Sequence, residues 1–151
     1  MPDSEWDEML VAATGEVLET MFFTGVYGPA QAGGSPAEPR VAARLSFEGT
    51  PSGALTLSVS EPAVRALAAN FLASDEDDSL PVSQLGCVVC ELANMICGSL
   101  LSRVKTEECF RLSSPELLPD DAACRPVPPN QSLDVGEGTI DLWLALEHHA
   151  N

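Results

Sequence analysis

A chain of 151 residues with 45% hydrophobic and 20% charged side chains has the composition of one folded globular domain, long enough to bury a core without disulfides. Its formal net charge is −16, from 23 acidic and only seven basic residues. Nucleic acid and anionic membranes are therefore not expected as partners, because both carry negative phosphates. Since residues 1–5 contain no basic region followed by an apolar run, we expect no signal peptide and a cytoplasmic protein.

The first predicted helix runs from about Glu5 to Phe23. Gly25 stands where such a helix is expected to stop, and the apolar residues before it recur at helical spacing: Met9, Leu10, Ala13, Val17, Leu18, Met21 and Phe22. Residues 25–39 are rich in Gly, Pro and Ala, which is typical of a loop.

A β-hairpin is predicted next. Residues 41–48 alternate loosely between apolar and polar, and residues 50–53 (Thr-Pro-Ser-Gly) are typical of a turn. In the strand predicted over residues 54–60, the apolar side chains share one face: Leu55, Leu57 and Val59.

A second helix is predicted from Glu61 to Ala73, because Ser60 can cap its first turn and Pro62 fits a position inside that turn. The acidic run that follows, residues 74–78, has no basic partner nearby. Such runs are typical of solvated loops, so we assign it no metal.

The third predicted helix begins near Pro81 and differs from an ordinary surface helix, because Glu91 is the only charged residue between Ser79 and Ser102. At 100° per residue, its central polar and small residues fall within about 60° of one another. We call the slightly wider set the polar strip: Gln84, Cys87, Glu91, Asn94, Gly98 and Ser102. The pattern predicts a helix that is buried in the core except for one narrow polar face exposed to solvent.

Two other interpretations of this helix are open. It is apolar enough to suggest a membrane span, but Glu91 and Asn94 at its centre would be costly in lipid and no Lys or Arg anchors precede it, so we expect a buried helix. Glu91 and Asn94, at i and i+3, are a candidate site. Such a pair is, however, most often only the solvent-facing side of a helix, joined by a weak side-chain contact.

Three more strands are predicted after Lys105: residues 109–113, residues 131–136 and residues 139–147. Residues 114–118 have no assignment, and a proline-containing loop follows them. In the last strand, apolar residues alternate with Asp141, Trp143 and Ala145, as expected for a half-buried sheet.

A faint internal repeat suggests how the elements are arranged. Residues 45–59 and 133–146 each contain a strand, a turn with glycine and a Leu-x-Leu pattern. Each is preceded by a helix containing glutamate, in Glu16-x-x-Glu19 and Glu91-x-x-Asn94. We therefore predict a single α+β domain over residues 1–151, with a pseudo-two-fold axis and its helices packed on one face of a mostly antiparallel sheet.

Five cysteines leave a thiol or metal function open, with Cys87 and Cys90 in CxxC spacing and Cys97 nearby. This pair lies inside a helix rather than at a helix start, where a thiolate would be stabilised. The sequence has no second CxxC, and its two histidines lie in the terminal tail. We therefore expect the cysteines to be structural thiols. The other two cysteines are Cys109 and Cys124, and the two histidines are His148 and His149.

The segment from Glu91 to Gly98 (ELANMICG) resembles the E-x-x-N-x-x-x-G signature of the CheC, CheX and FliY chemotaxis phosphatases. The single copy, the chain length and residues 16–25 (EVLETMFFTG) resemble the CheX branch. The chain departs from the family pattern at Cys87, where Asp or Ser is common. Pro115 lies close to, but not at, the usual position of a downstream proline.

The resemblance implies a CheC/CheX-like fold and a phosphatase that acts on the phospho-aspartate of a CheY-like response regulator. Carried over, Asn94 would position the attacking water and Glu91 would anchor the partner. Cys87 and Gly98 would complete the partner-binding surface. For Gly98, tight helix packing inside the domain is an interpretation that stays open as well. The protein would have no metal or cofactor of its own, because the Mg²⁺ would belong to the regulator. Since Glu19 stands where a second Asn would be, we expect no second site.

The alternative function is a non-catalytic CheX-like binding module in two-component or chemotaxis signalling. The acidic surface and Cys87 both leave that possibility open. A homodimer through sheet edges is a further expectation of the resemblance. The last strand shows no edge-blocking charges that would oppose such pairing.

Overall fold

The computed structural model of this chain describes residues 3–22, 24–26, 28–29, 40–49, 52–71, 82–104, 110–118, 129–136 and 138–147. Within them, three helices accompany one sheet of seven strands. The helices are α1 (Asp3–Met21), α2 (Glu61–Phe71) and α3 (Val82–Ser102). The strands are β1 (Gly28–Pro29), β2 (Arg40–Glu48), β3 (Ser52–Ser60), β4 (Arg111–Leu112), β5 (Glu116–Leu117), β6 (Gln131–Asp134) and β7 (Thr139–Glu147).

The order of the strands is nearly symmetrical about the centre of the sheet. All described pairings are antiparallel and follow β1-β6-β7-β3-β2-β4, with β5 also paired to β2. Hairpins β2–β3 and β6–β7 meet where β3 pairs with β7. The outer strand of each hairpin then pairs with short strands from the other half of the chain, β1 on β6 and β4 and β5 on β2. This arrangement confirms the predicted pseudo-two-fold and the α+β class.

The core lies between the helices and one face of the sheet. In register across the centre, Leu57 of β3 lies opposite Ala43 of β2 and Leu142 of β7, and all three are fully buried. Helix α3 packs on β2, β3 and α1, and α2 also contacts α3. The helices contribute most of the largest fully buried side chains: Leu10, Leu18, Leu67, Leu85, Leu92, Ile96 and Leu100.

The stretch Gln84–Ser102 of α3 is long and apolar enough, by length and composition alone, to cross a membrane. In this fold, 56% of that stretch is buried inside the protein. The buried part packs on the sheet and on the other helices, as expected for the core helix predicted from the sequence.

The structure corrects several predicted boundaries. Helix α1 ends at Met21, and its predicted end, Phe23, lies outside the described residues. Just after the helix, the N–H groups of Phe22 and Thr24 both donate to the carbonyl oxygen of Leu18. The strand predicted over residues 109–113 is shorter, and residues 131–136 form a strand only as far as Asp134. The last strand has its predicted bounds. Several residues discussed above lie outside the described part of the chain: residues 72–73, the acidic run 74–78, Cys109, Cys124, His148 and His149.

Two short strands and one cap differ from expectation. β1 lies within the predicted loop 25–39, and β5 lies within the unassigned residues 114–118. The hydroxyl of Ser60, predicted to cap α2, instead accepts a hydrogen bond of 3.0 Å from the N–H of Thr139. A Cβ at Gly138 would collide with that hydroxyl, so glycine is required there for the close approach. Strand β7 lies between β3 and β6, and its residues Ile140, Asp141 and Leu142 are paired on both sides.

A buried polar network crosses the sheet on the face opposite the helices. Arg40 of β2 donates through Nε to Ser58 Oγ at 2.8 Å and through Nη1 to Thr139 Oγ1 at 3.2 Å. Its Nη2 lies 3.4 Å from Asp141 Oδ2, and Ser132 donates to Asp141 Oδ1 at 2.7 Å. The network therefore joins β2, β3, β7 and β6 across the pseudo-two-fold, and the predicted solvent side of β7 is buried at Asp141.

Removing the Asp141 carboxylate is expected to lower the free energy of unfolding by about 3 kcal/mol, because Arg40 would keep a buried charge without its partner. The side chains of Arg40 and Asp141 are only 9% and 12% exposed. Urea denaturation of Asp141→Ala would measure the loss. The control is Glu61→Ala, whose ion pair with Arg65 is 23–31% exposed and whose loss is expected to cost less than about 1 kcal/mol. Equal denaturation midpoints for the two variants would contradict a stabilising role of the network.

Candidate functional site

The exposed residues of α3, from Gln84 onward, coincide with the polar strip predicted from the sequence. All six of its members are exposed: Gln84, Cys87, Glu91, Asn94, Gly98 and Ser102. Every other residue of the helix in this range is buried or half-buried. The structure therefore brings the four predicted site residues, Cys87, Glu91, Asn94 and Gly98, onto one narrow solvent-facing line.

The surroundings of α3 explain why this line is so narrow. Below the helix, Val89, Ile96 and Leu100 are fully buried or nearly so in the core. On its flanks, Leu92 and Cys97 are fully buried as well. Only the side that points away from the sheet is left for solvent, and at 100° per residue that side carries the polar strip.

Within the polar strip, Glu91 and Asn94 are available to another molecule. Among the described residues, neither side chain has a hydrogen bond or ion pair, and they do not bond to each other. The weak contact that would make them an ordinary wet side of the helix is therefore not formed. A carboxylate accepts hydrogen bonds, and a carboxamide both donates and accepts them. Together they can bind a cation and orient a water molecule or a polar ligand.

Gly98 has no packing role within the described protein. A Cβ built on it would meet no atom within 4 Å, and the residue is exposed. Tight packing inside the domain, the other interpretation of this glycine, is therefore not supported. Because glycine in a helix interior costs about 1 kcal/mol relative to alanine, this position is destabilising for the free protein.

The three described thiols of α3 lie in different environments. Cys87 is exposed, Cys90 is half-buried and Cys97 is fully buried, and all three are free. Burial raises the pKa of the Cys97 thiol to about 12. Partial burial, followed by the nearby Cys87 and Glu91, raises the pKa of the Cys90 thiol. In the described parts of the chain, no three His, Cys, Asp or Glu side chains form a cluster that could hold a metal ion.

Helix α1 carries the pseudo-symmetric counterpart of Glu91 and Asn94. Glu16 and Glu19 are both exposed there, but Glu16 forms an ion pair with Arg103, which directly follows α3. No spacing pattern in the sequence predicts this pair, because its members lie 87 residues apart. The Glu16 carboxylate thus has a cationic partner within the chain, whereas the Glu91 carboxylate has none among the described residues.

Comparisons with known proteins identify the family. The family model described as chemotaxis phosphatase CheX matches residues 41–126, a range that contains all four predicted site residues. No curated protein matches the chain.

Several solved structures share the fold. A crystal structure of the chemotaxis protein CheX from Vibrio vulnificus is 16% identical, covers 95% of this chain and 97% of its own, and has a TM-score of 0.74. CheX from Desulfovibrio desulfuricans is 20% identical over 95% of this chain and 99% of its own, with a TM-score of 0.70. A CheX–CheY–BeF3–Mg²⁺ complex from Borrelia burgdorferi contains a chain that is 13% identical over 93% of this chain and 97% of its own, with a TM-score of 0.73.

At such low identities, the structural likeness shows the fold. The family assignment comes from the sequence model, which covers more than half of the 151 residues. Because this match also agrees with the resemblance of residues 91–98 to the phosphatase signature, fold and sequence lead to one result: the chain belongs to the chemotaxis phosphatase CheX family.

Proposed function

We propose that this protein hydrolyses the phospho-aspartate of a CheY-like response regulator, with Asn94 positioning the attacking water and Glu91 anchoring the regulator. One observation carries the proposal: Asn94 is exposed on the polar strip of α3, whose other side chains from Gln84 onward are buried or half-buried. In addition, one structure with the same fold is described as a complex of CheX with CheY, BeF3 and Mg²⁺.

Hydrolysis of a phospho-aspartate requires few catalytic groups from the phosphatase. A phospho-aspartate is an acyl phosphate, and phosphoryl transfer passes through a loose transition state that needs little general-base assistance. The oxygen of water attacks phosphorus, the bond from phosphorus to the aspartate oxygen breaks, and the products are carboxylate and inorganic phosphate. Placing the water in line can contribute several kcal/mol toward the barrier. A carboxamide suits this task because it orients water without adding charge near the phosphoryl group.

The charge of Glu91 gives it a different role. A carboxylate close to an incoming phosphoryl group would repel it unless a cation lies between them. We assign that cation to a lysine on the regulator, and the Mg²⁺ that the phosphoryl group needs to the regulator as well. With a net charge of −16 on this chain, an ion pair at Glu91 also favours a regulator that presents basic surface beside its phospho-aspartate.

Cys87 and Gly98 lie at either side of this pair along the polar strip. In the proposal, the Cys87 thiol contacts the regulator, and Gly98 lets the regulator's backbone approach the helix. The homodimer and the cytoplasmic location expected from the sequence stay predictions.

A non-catalytic binding module is the second candidate. Cys87, which stands where the family often has Asp or Ser, is exposed in the polar strip and is the observation that favours this alternative. Such a module would use the same surface to bind a receiver domain, but it would not need the carboxamide of Asn94. The two candidates therefore differ in what happens when that carboxamide is removed.

Asn94→Ala is expected to slow dephosphorylation of the regulator by about 100-fold, because it removes the group that orients the attacking water. Affinity for a regulator loaded with BeF3 and Mg²⁺ should change by less than about threefold, since the docking surface is kept. Phosphate release from regulator phosphorylated with acetyl phosphate measures the rate. Asn70→Ala, which removes an exposed carboxamide of α2 outside the polar strip, is the control and should retain wild-type activity. If wild type and Asn94→Ala release phosphate equally, the catalytic proposal is wrong.

Glu91→Gln is expected to weaken regulator binding by about tenfold, because it removes one charge of an interfacial ion pair. The loss should shrink at high salt, where the pair is screened. Titration calorimetry at two salt concentrations measures both effects. Glu19→Gln on α1 changes the net charge equally and should bind as wild type does. An equal loss in both variants would show that overall charge, and not Glu91, controls docking.

Gly98→Ala is expected to raise the free energy of unfolding by about 0.5–1 kcal/mol, since alanine favours the helix and its Cβ meets no atom within 4 Å. The same change should weaken regulator binding several-fold, because the Cβ enters the docking surface. Gly15→Ala is a matched control on α1, where a Cβ also meets nothing within 4 Å. It should stabilise the protein equally and leave binding unchanged. Wild-type affinity of Gly98→Ala would exclude Gly98 from the docking surface.

A further inference from the structure

Strand β5 places an exposed leucine beside the polar strip. Leu117 pairs with Ala43 of β2, and the N–H of Leu118 donates to the carbonyl oxygen of Ala42 at 2.9 Å. Directly opposite residues in a sheet share a face, and Ala43 is fully buried in the core beneath the helices. Leu117 therefore points to the helix side of the sheet, at the edge nearest α3.

A glycine in α3 lets this leucine rest on the helix. A Cβ built on Gly86 would lie 2.8 Å from Leu117 Cδ2 and 3.2 Å from Cδ1, closer than normal contact. The side chain is therefore held against the helix backbone on one side. Its other side faces solvent, and at 49% it is more exposed than any other large hydrophobic side chain in the described ranges.

Helix geometry places this leucine next to the candidate site. Gly86 lies roughly 80° around the helix from Asn94 and about 12 Å along the axis from it. A typical stable interface covers about 800 Å² on each partner, which corresponds to a circular patch of about 16 Å radius. A protein that docks with its reacting group at Asn94 would consequently also cover Leu117.

The polar strip alone is an incomplete docking surface. Its members are polar or small, whereas stable interfaces have a desolvated apolar centre inside a polar rim. Leu117 supplies apolar area immediately beside the polar strip, and Gly86 fixes its position before a partner arrives. A side chain that is already held in place loses less conformational entropy on binding than a free one.

We infer that Leu117, seated on Gly86, is an apolar anchor for the regulator and contacts an apolar side chain on the regulator's docking face, about 12 Å from its phospho-aspartate. This inference rests on the proposed function. It assigns Leu117 to binding and not to the chemical step. Its loss should therefore raise the KM for phosphorylated regulator and leave kcat unchanged.

The test is Leu117→Ala with Leu112→Ala as its control. Both leucines lie on two-residue strands paired with β2, but Leu112 pairs with Phe47, about 13 Å further along β2 from Ala43. We expect Leu117→Ala to raise the KM, and the Kd for regulator loaded with BeF3 and Mg²⁺, about five- to tenfold. The kcat should stay within twofold of wild type, and Leu112→Ala should match wild type in both constants. Leu117→Gln, which keeps the side-chain length, replaces the alanine variant if the latter does not fold.

A double-mutant cycle tests the role of Gly86. Gly86→Ala would displace the end of the Leu117 side chain and should weaken binding by itself. In the presence of Leu117→Ala, the same change has no leucine to displace, so the two losses should not add. Fully additive losses would show that Gly86 does not act through Leu117.

The outcomes separate this inference from the proposed function. If wild type and Leu117→Ala bind the regulator equally well, the inference that Leu117 is an anchor is wrong and the proposed function stands. If wild type binds without dephosphorylating, the catalytic proposal fails and the affinity of Leu117→Ala still decides the anchor. If wild type does not bind regulator at all, both are wrong. If Leu117→Ala instead changes the oligomeric state in sedimentation experiments, Leu117 contacts a second copy of the chain, and the anchor is again wrong.

Discussion

The packing of α3 on β2 and β3 is the constraint on which the proposed activity depends. Burial of Val89, Ile96 and Leu100 beneath the helix, and of Leu92 and Cys97 on its flanks, leaves one line of side chains exposed. This line fixes Glu91 and Asn94 at successive turns on a rigid, buried support. A group that orients water gains from such a support, because small displacements of a catalytic group have large effects on rate. The fold thus holds the Asn94 carboxamide in an exposed position on a buried helix.

The two halves of the domain share a plan but not a site. The strand order is nearly symmetrical, and α1 carries a Glu-x-x-Glu motif where α3 has Glu-x-x-Asn. On α1, Glu16 is paired with Arg103, and the second position holds a carboxylate in place of an amide. Both differences remove what the proposed chemistry would require, namely an unpaired anion for the regulator's cation and a neutral group for the water. The pseudo-two-fold therefore preserves the architecture while only one half keeps the candidate site.

Sequence periodicity predicted the parts of the structure that depend on local spacing. The six exposed positions of α3 follow from 100° per residue and the scarcity of charge, and β7 follows from strict alternation. The short strands β1 and β5 were missed, because two residues carry no period and pair only where a neighbouring edge is available. The network around Arg40 and Asp141 was also missed, since it joins residues about 100 apart in the chain. For Gly98 the sequence left both a partner's approach and packing inside the domain open, whereas the structure assigns packing to Gly86 and open space to Gly98.

The central claim is that the Asn94 carboxamide meets another protein's phosphoryl group. A crystal structure of this protein with a CheY-like regulator carrying BeF3 and Mg²⁺ tests it most directly. The account predicts that the Asn94 side chain lies about 3 Å from a water or fluorine in line with the acceptor aspartate, with Glu91 paired to a lysine of the regulator. A regulator bound to α1 or to the outer face of the sheet, with Asn94 exposed to solvent, would contradict it.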